Sequence, residues 1–324
     1  MGRHPEADLS RLSVGSVADR PTRVRVEDFA RPCDPAAARA VIASLPDQLG
    51  ARALREVIAR VARARSDARP VVAMCGGHVI KVGVSPCLIA LLERGVVTHL
   101  AMNGAAAIHD VEIARAGRTS EDVEEQLHAG RFGMVDETGD FMADAARDAV
   151  RRGEGLGEAY GRALEESRAP HRASSLLAAA FRLGVPATVH VALGTDTIHH
   201  HPRCDGAALG EASLRDFRIL AATLAEARGA VALNLGSAVV LPEVFLKALS
   251  VARNLGADLS GLTTVNFDQI QHYRPRVNVV ERPTRAVGAR GFAITGHHEI
   301  LMPLFAAAVL AEIEAQRPAA PAGA

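Results

Sequence analysis

Tryptophan is absent from the 324 residues, tyrosine occurs twice and phenylalanine nine times. That excludes a core built on stacked aromatics. Ala, Val and Leu must fill it instead, and a hydrophobic content of 48% is enough for a sizeable one. Lysine is nearly missing as well: the 37 basic residues include only Lys81 and Lys247. Each is a candidate for what arginine cannot do, such as forming an imine or meeting a phosphate as a compact ammonium, with a solvated surface lysine as the alternative. Formal net charge is zero, so the basic signature of a nucleic-acid or membrane-surface binder is missing. No apolar run has the length of a membrane span. Met1–Arg31 is charged throughout and has no apolar core of a signal peptide. The four cysteines (Cys33, Cys75, Cys87, Cys204) show no C-x-x-C spacing and are expected as free thiols in a reducing cytoplasm. The dinucleotide fingerprint G-x-G-x-x-G is also missing.

What is present is an alternation of short apolar runs and helical patterns. Val71–Cys75 reads as a buried strand and runs into Gly76-Gly77-His78. Leu88–Arg94 continues as helix and Val96–Met102 is the next strand, which makes a βαβ unit and predicts a parallel sheet. After Met102 come Asn103, Gly104 and three alanines, then His109, Asp110 and Glu112 on a helix. Small residues there let backbone N–H groups approach a ligand. Further strands are expected at Pro186–Leu193, Ala230–Leu235, Leu259–Val265 and Gly291–Thr295. Their downstream ends carry Asp196, Ser237, Asp268 and His297, so polar groups recur at one rim of the sheet, where such sheets bind ligands. The expected fold is α/β, a single doubly wound, mostly parallel, Rossmann-like sheet over residues 35–317. Residues 1–34 read as an arm and 318–324 as a disordered tail.

His199-His200-His201 is the most unusual segment. Three consecutive histidines suggest a metal, with Cys204 and Asp205 nearby, although neighbours in an extended segment point to alternate faces. Substrate contact by one or two of them is the other reading. Glu243 and Lys247 stand four apart on one helix face, as an i,i+4 ion pair would.

These segments, in this order, resemble the deoxyhypusine synthase family over about Val71 to Ile313. Asn103-Gly104-Ala105 with His109-Asp110 falls where the family has a Thr-Ala-Gly-Gly turn and acids near NAD. Thr195-Asp196, Gly236-Ser237-Ala238, Arg253–Asp258, Phe267-Asp268 and the Pro303-Leu304 helix match further family segments. The resemblance implies NAD, an amine substrate and a homotetramer. It assigns cofactor contacts to Asn103, Gly104, Ala105, His109, Asp110, Asp196, Gly236, Ser237 and Asp268; Gly77, Lys81 and Thr264 are expected to join them, Lys81 from its place after the first strand, where a phosphate could sit. His199, His200, His201, His297, His298 and Glu243 would face substrate, and Lys247 would stand in for the family's imine-forming lysine. The family's Trp-Gly-Lys segment has no counterpart in Val279–Arg285, and its Lys-His-His is here Leu241-Pro242-Glu243. The expected activity is oxidation of an amine or alcohol by hydride transfer to NAD, with alkylamine transfer as an extension. A metal-dependent hydrolase or lyase built on the histidine run, and a non-catalytic nucleotide-binding protein, are the alternatives.

Overall fold

A computed structural model describes residues 3–316. Six parallel strands form the central sheet: β2 (Val71–Cys75), β3 (His99–Asn103), β5 (Ala187–His190), β6 (Val231–Leu235), β7 (Thr263–Asp268) and β8 (Arg290–Thr295). Their order across the sheet is β5-β3-β2-β6-β7-β8. All six expected strands exist. The one at Leu259–Val265 is shifted downstream to Thr263–Asp268, because Leu259 and Leu262 pack outside the ladder while Asn266 and Asp268 complete it.

Helices cover both faces. On β2, Val71, Ala73 and Cys75 point into one apolar cluster and Val72 and Met74 into the other, as the period of two demands. The first cluster is roofed by α2 (Leu49–Ser66), α4 (Ser85–Glu93), α5 (Gly104–Ala116), α8 (Leu156–Glu166), α9 (Leu176–Leu183) and α13 (His298–Gln316). The second is roofed by α10 (Gly206–Leu224) and α11 (Val240–Asn254). A strand buried on both faces must be apolar throughout, which VVAMC is. The remaining helices are α1 (Pro35–Ser44), α3 (Gly77–Lys81), α6 (Val123–His128), α7 (Asp136–Arg152) and the single turn α12 (Tyr273–Pro275), which runs into a π-helical stretch, Arg276–Glu281. No helix of the described residues is long and apolar enough to cross a membrane. The four cysteines are unpaired.

Two elements escape the sequence pattern. In the N-terminal arm, β1 (Thr22–Arg25) pairs antiparallel with β4 (Arg118–Glu121). Both are short and polar, so neither shows an apolar run. The proposed tail, 318–324, lies outside the described residues.

Close packing replaces aromatic bulk. A Cβ on Gly157 would lie 2.2 Å from the Ala187 carbonyl oxygen, so α8 sits against the edge strand β5 only because no side chain intervenes. Asp216 on α10 ties the same place together. Its fully buried carboxylate accepts from the amides of Gly157 (3.0 Å) and Val189 (2.7 Å). Burial pushes its pKa up to about 7 despite those bonds. The folded protein therefore holds a proton there that the unfolded chain gives up near pH 4. Stability contributed at this site falls as pH rises from about 4 toward 7. Urea unfolding of Asp216→Asn and the parent should show the parent losing ground to the variant as pH rises from 5 to 8. A difference independent of pH would refute the assignment.

Candidate functional site

The strand order reverses between β2 and β6, and their carboxyl ends touch. The Gly76 amide donates to the Leu235 carbonyl (2.9 Å), and a Cβ on Gly76 would lie 2.3 Å from the Gly236 oxygen. Gly236 has φ +66°, a left-handed backbone suited to glycine. On the far side of this turn, His298 is buried. Its Nε2 donates to the Phe267 carbonyl (3.0 Å), which leaves Nδ1 sealed and without a partner. The half-buried His78, two residues beyond Gly76, meets the His298 ring edge-on at 5.7 Å between centroids. Burial, then the neighbouring His298 imidazole, holds the His78 pKa below its usual value. Asp268 ends β7 largely buried, and its carboxylate takes no hydrogen bond among the described residues.

Beside this crevice, at the end of β3, lies a cavity of about 210 Å³. Lys81, Ala105, His109, Glu121 and Asp196 line it, and Arg20 reaches it from the arm. Gly77 forms part of the wall between crevice and cavity: a Cβ there would sit 3.2 Å from His109 Cδ2. The Asp196 carboxylate lies on the first turn of α5, where a Cβ on Gly104 would be 1.9 Å from its Oδ2. Burial pushes the Asp196 pKa up to about 6. His199 Nδ1 accepts from the amides of Gly194 (3.1 Å) and Asp196 (3.2 Å), so its proton is on Nε2, 3.6 Å from Asp196 Oδ2. Among the described residues neither of those two atoms has a hydrogen-bond partner. A larger hollow, about 510 Å³, lies between Leu12–Arg20 of the arm and Glu125–Val135, not at a strand end.

Several residues assigned from the sequence lie elsewhere or are already engaged. Asp110 is fully buried and accepts from the Ser175 hydroxyl and the amides of Leu176 (2.8 Å) and Leu177 (3.1 Å). It fastens α5 to the start of α9 and faces no cavity. Thr264 is the second residue of β7, about 13 Å of strand before Asp268 and away from the rim. Asn103 caps α5 by accepting from the Ala106 amide (2.9 Å). Ser237 accepts from the Leu241 amide (3.2 Å) at the start of α11. Glu243 and Lys247 pair on an exposed face of α11, where Glu243 also meets Arg274 (3.2 Å) and Asn278 (2.8 Å). Lys247 is exposed and lines neither the crevice nor the cavity beside it, so the imine reading has no support. His297 is exposed beside Glu299.

The histidine run does not converge. Thr197–His200 is a 3-10 turn rather than an extended strand end, and each ring goes its own way. His199 serves its own loop, His200 donates to the Gly133 carbonyl (3.2 Å), and His201 donates to Asp136 (3.1 Å). His201, Asp136 and Asp140 do approach one another, but Arg203 occupies the place of a cation, 3.0 Å from Asp140. No two rings of the run share an ion site with Cys204 or Asp205 among the described residues.

Sequence reasoning overlooked Arg20 and Thr119. Arg20 lies in an arm without periodicity, 92 residues from its partner Glu112, and no local signal marks it.

No protein-family model matches the chain, and no curated protein matches it. Solved structures resemble it in fold. Unliganded AgrE aligns at 17% identity over 82% of this chain and 33% of its own, with a TM-score of 0.50. A ternary complex of AgrE with ornithine and NAD+ aligns at 16% identity over 82% and 33%, with a TM-score of 0.48. A putative LOR/SDH protein from Methanococcus maripaludis S2 aligns at 16% identity over 81% and 68%, with a TM-score of 0.46. The chain spans about a third of the length of the AgrE chains. The likeness to unliganded AgrE is one of fold alone and agrees with the doubly wound α/β sheet described above.

Proposed function

We propose that the chain binds NAD across the touching turns of β2 and β6 and oxidises a small amine or alcohol held in the adjoining cavity. The observation that carries this reading is the strand order. Renumbered along the chain, β5-β3-β2-β6-β7-β8 is 3-2-1-4-5-6, the order in which parallel sheets take a dinucleotide at the point of reversal. The residues present fit such a ligand. Gly76, Gly77 and Gly236 let the two turns and α5 approach closely where a side chain would collide with its surroundings. Asp268 offers an unengaged carboxylate at the end of β7, on the same rim of strand ends. His298 Nδ1 is an orphaned buried polar atom behind the same turn.

Bound NAD supplies an acceptor for two electrons and one proton, taken together as hydride. The chain's own residues must hold the substrate and accept its second proton. In the cavity, Asp196 presents a carboxylate to an ammonium or hydroxyl, and Lys81 stands at the mouth. Loss of hydride from carbon and of a proton from nitrogen or oxygen leaves an imine or a carbonyl. The AgrE complex with ornithine and NAD+ is consistent with this ligand pair, and the motif resemblance to deoxyhypusine synthases points to the same cofactor and to amines.

Calorimetric titration of the full chain with NAD tests the reading. Saturation near one site per chain is expected, and NAD at a hundred times its dissociation constant should stabilise the fold by about 2.7 kcal/mol. Folded protein that takes up no NAD overturns it. Binding without reduction by a panel of amines and alcohols leaves a nucleotide-binding protein instead.

A further inference from the structure

His109 is half-buried on α5 and lines the cavity beside Asp196 and Lys81. Its Nδ1 lies 2.7 Å from the Thr119 hydroxyl on β4. That hydroxyl has a single proton and gives it to Glu112 Oε2 (2.5 Å). The Glu112 carboxylate can only accept, and it does so again from Arg20 (2.8 Å) and Thr138 (3.2 Å). Thr119 must therefore accept from the imidazole, so the ring proton is on Nδ1. Nε2 then carries a lone pair. Among the described residues it has no partner, and it is not one of the sealed polar atoms of the interior, so it opens to the cavity.

We infer that His109 Nε2 is the atom that takes the substrate's proton as hydride leaves, and that Thr119 and Glu112 are positioning residues that hold the ring in the required tautomer. The inference rests on the oxidation proposed above. In the step, the substrate N–H or O–H bond breaks, its proton bonds to Nε2, and the electron pair of that bond becomes the second bond of the imine or carbonyl. The adjacent C–H pair leaves as hydride to NAD. The ring becomes an imidazolium whose Nδ1–H stays on Thr119, with Glu112 behind it.

The surroundings keep the resting ring neutral. Burial lowers its pKa to about 4; Lys81 from α3 and Arg20 from the arm push the same way, and Glu112 opposes them. Asp196 faces it across the cavity. A neutral ring is the form able to accept a proton near pH 7.

The test uses full-length protein with ring-labelled histidine. Nitrogen–proton correlation spectra at pH 7 should show one neutral histidine protonated on Nδ1, absent in His109→Asn. Thr119→Val should move it to the Nε2-protonated form, and Thr119→Ser should restore it. A wild-type His109 that is charged, or protonated on Nε2, overturns the tautomer assignment and the roles of Thr119 and Glu112. Given a substrate from the panel, His109→Asn should lower kcat at least about 100-fold while NAD affinity stays within about twofold. An unchanged kcat overturns the catalytic role. Absence of NAD binding in the parent would instead sink the oxidation reading, and the spectra would still decide the tautomer.

Discussion

Arg20→Ala is expected to cost about 3–5 kcal/mol of unfolding free energy, the range for breaking a buried ion pair by removing one partner. The Arg20 side chain is 8% exposed, and its partners Glu112 and Glu121 are 4% and 6% exposed. Without the guanidinium, two carboxylates face each other in one poorly hydrated space. Glu121 already has its pKa raised by burial, so little reserve exists for carrying the charge alone. The deficit should shrink as pH falls into the carboxyl range, because the stranded groups can then take up protons. Arg20 also anchors the arm, with the β1–β4 pairing and a bond from Ser16 to Glu137 as the other ties. Urea unfolding at pH 7 and pH 5, with limited proteolysis of the arm, measures both effects. A loss below about 1 kcal/mol at pH 7 would place the pair with ordinary surface ion pairs.

Asp110→Ala is the second large effect, at about 3 kcal/mol. Three donors lose their acceptor inside the protein: the Ser175 hydroxyl and the amides of Leu176 and Leu177. Each orphaned donor costs about 1–3 kcal/mol. The full sum is not expected, because the substitution also relieves the burial of a charge that has raised the Asp110 pKa to about 6. Denaturant unfolding gives the loss, and calorimetry on the folded variant should find NAD affinity unchanged. Full stability combined with weakened NAD binding would return Asp110 to the cofactor edge, where the sequence reading placed it.

Asp110 shows why the site was only partly legible. Asp110 and His109 are adjacent on α5, and an acid at the head of a helix after a strand reads as a ligand contact. A helix turns about 100° per residue, so neighbours face different surroundings. His109 faces the cavity and Asp110 the start of α9. The histidine run failed similarly. Its rings diverge because the backbone winds into a 3-10 turn, and each ring finds a partner from a different segment.

By itself the sequence determined the strands of the sheet, the small-residue turns after β2, β3 and β6, and the α/β class. Those features are local: apolar runs bounded by glycine, with helical periodicity between them. Only the tertiary structure decided the order β5-β3-β2-β6-β7-β8, and with it the point of reversal. Strand neighbours are chosen by which helix faces bury against which sheet face, a sum over contacts far apart in the chain. The same holds for the hydrogen-bonded chain behind His109: Thr119 and Glu112 are near in sequence, but Arg20 reaches Glu112 from the arm, 92 residues away, where β1 pairs with β4.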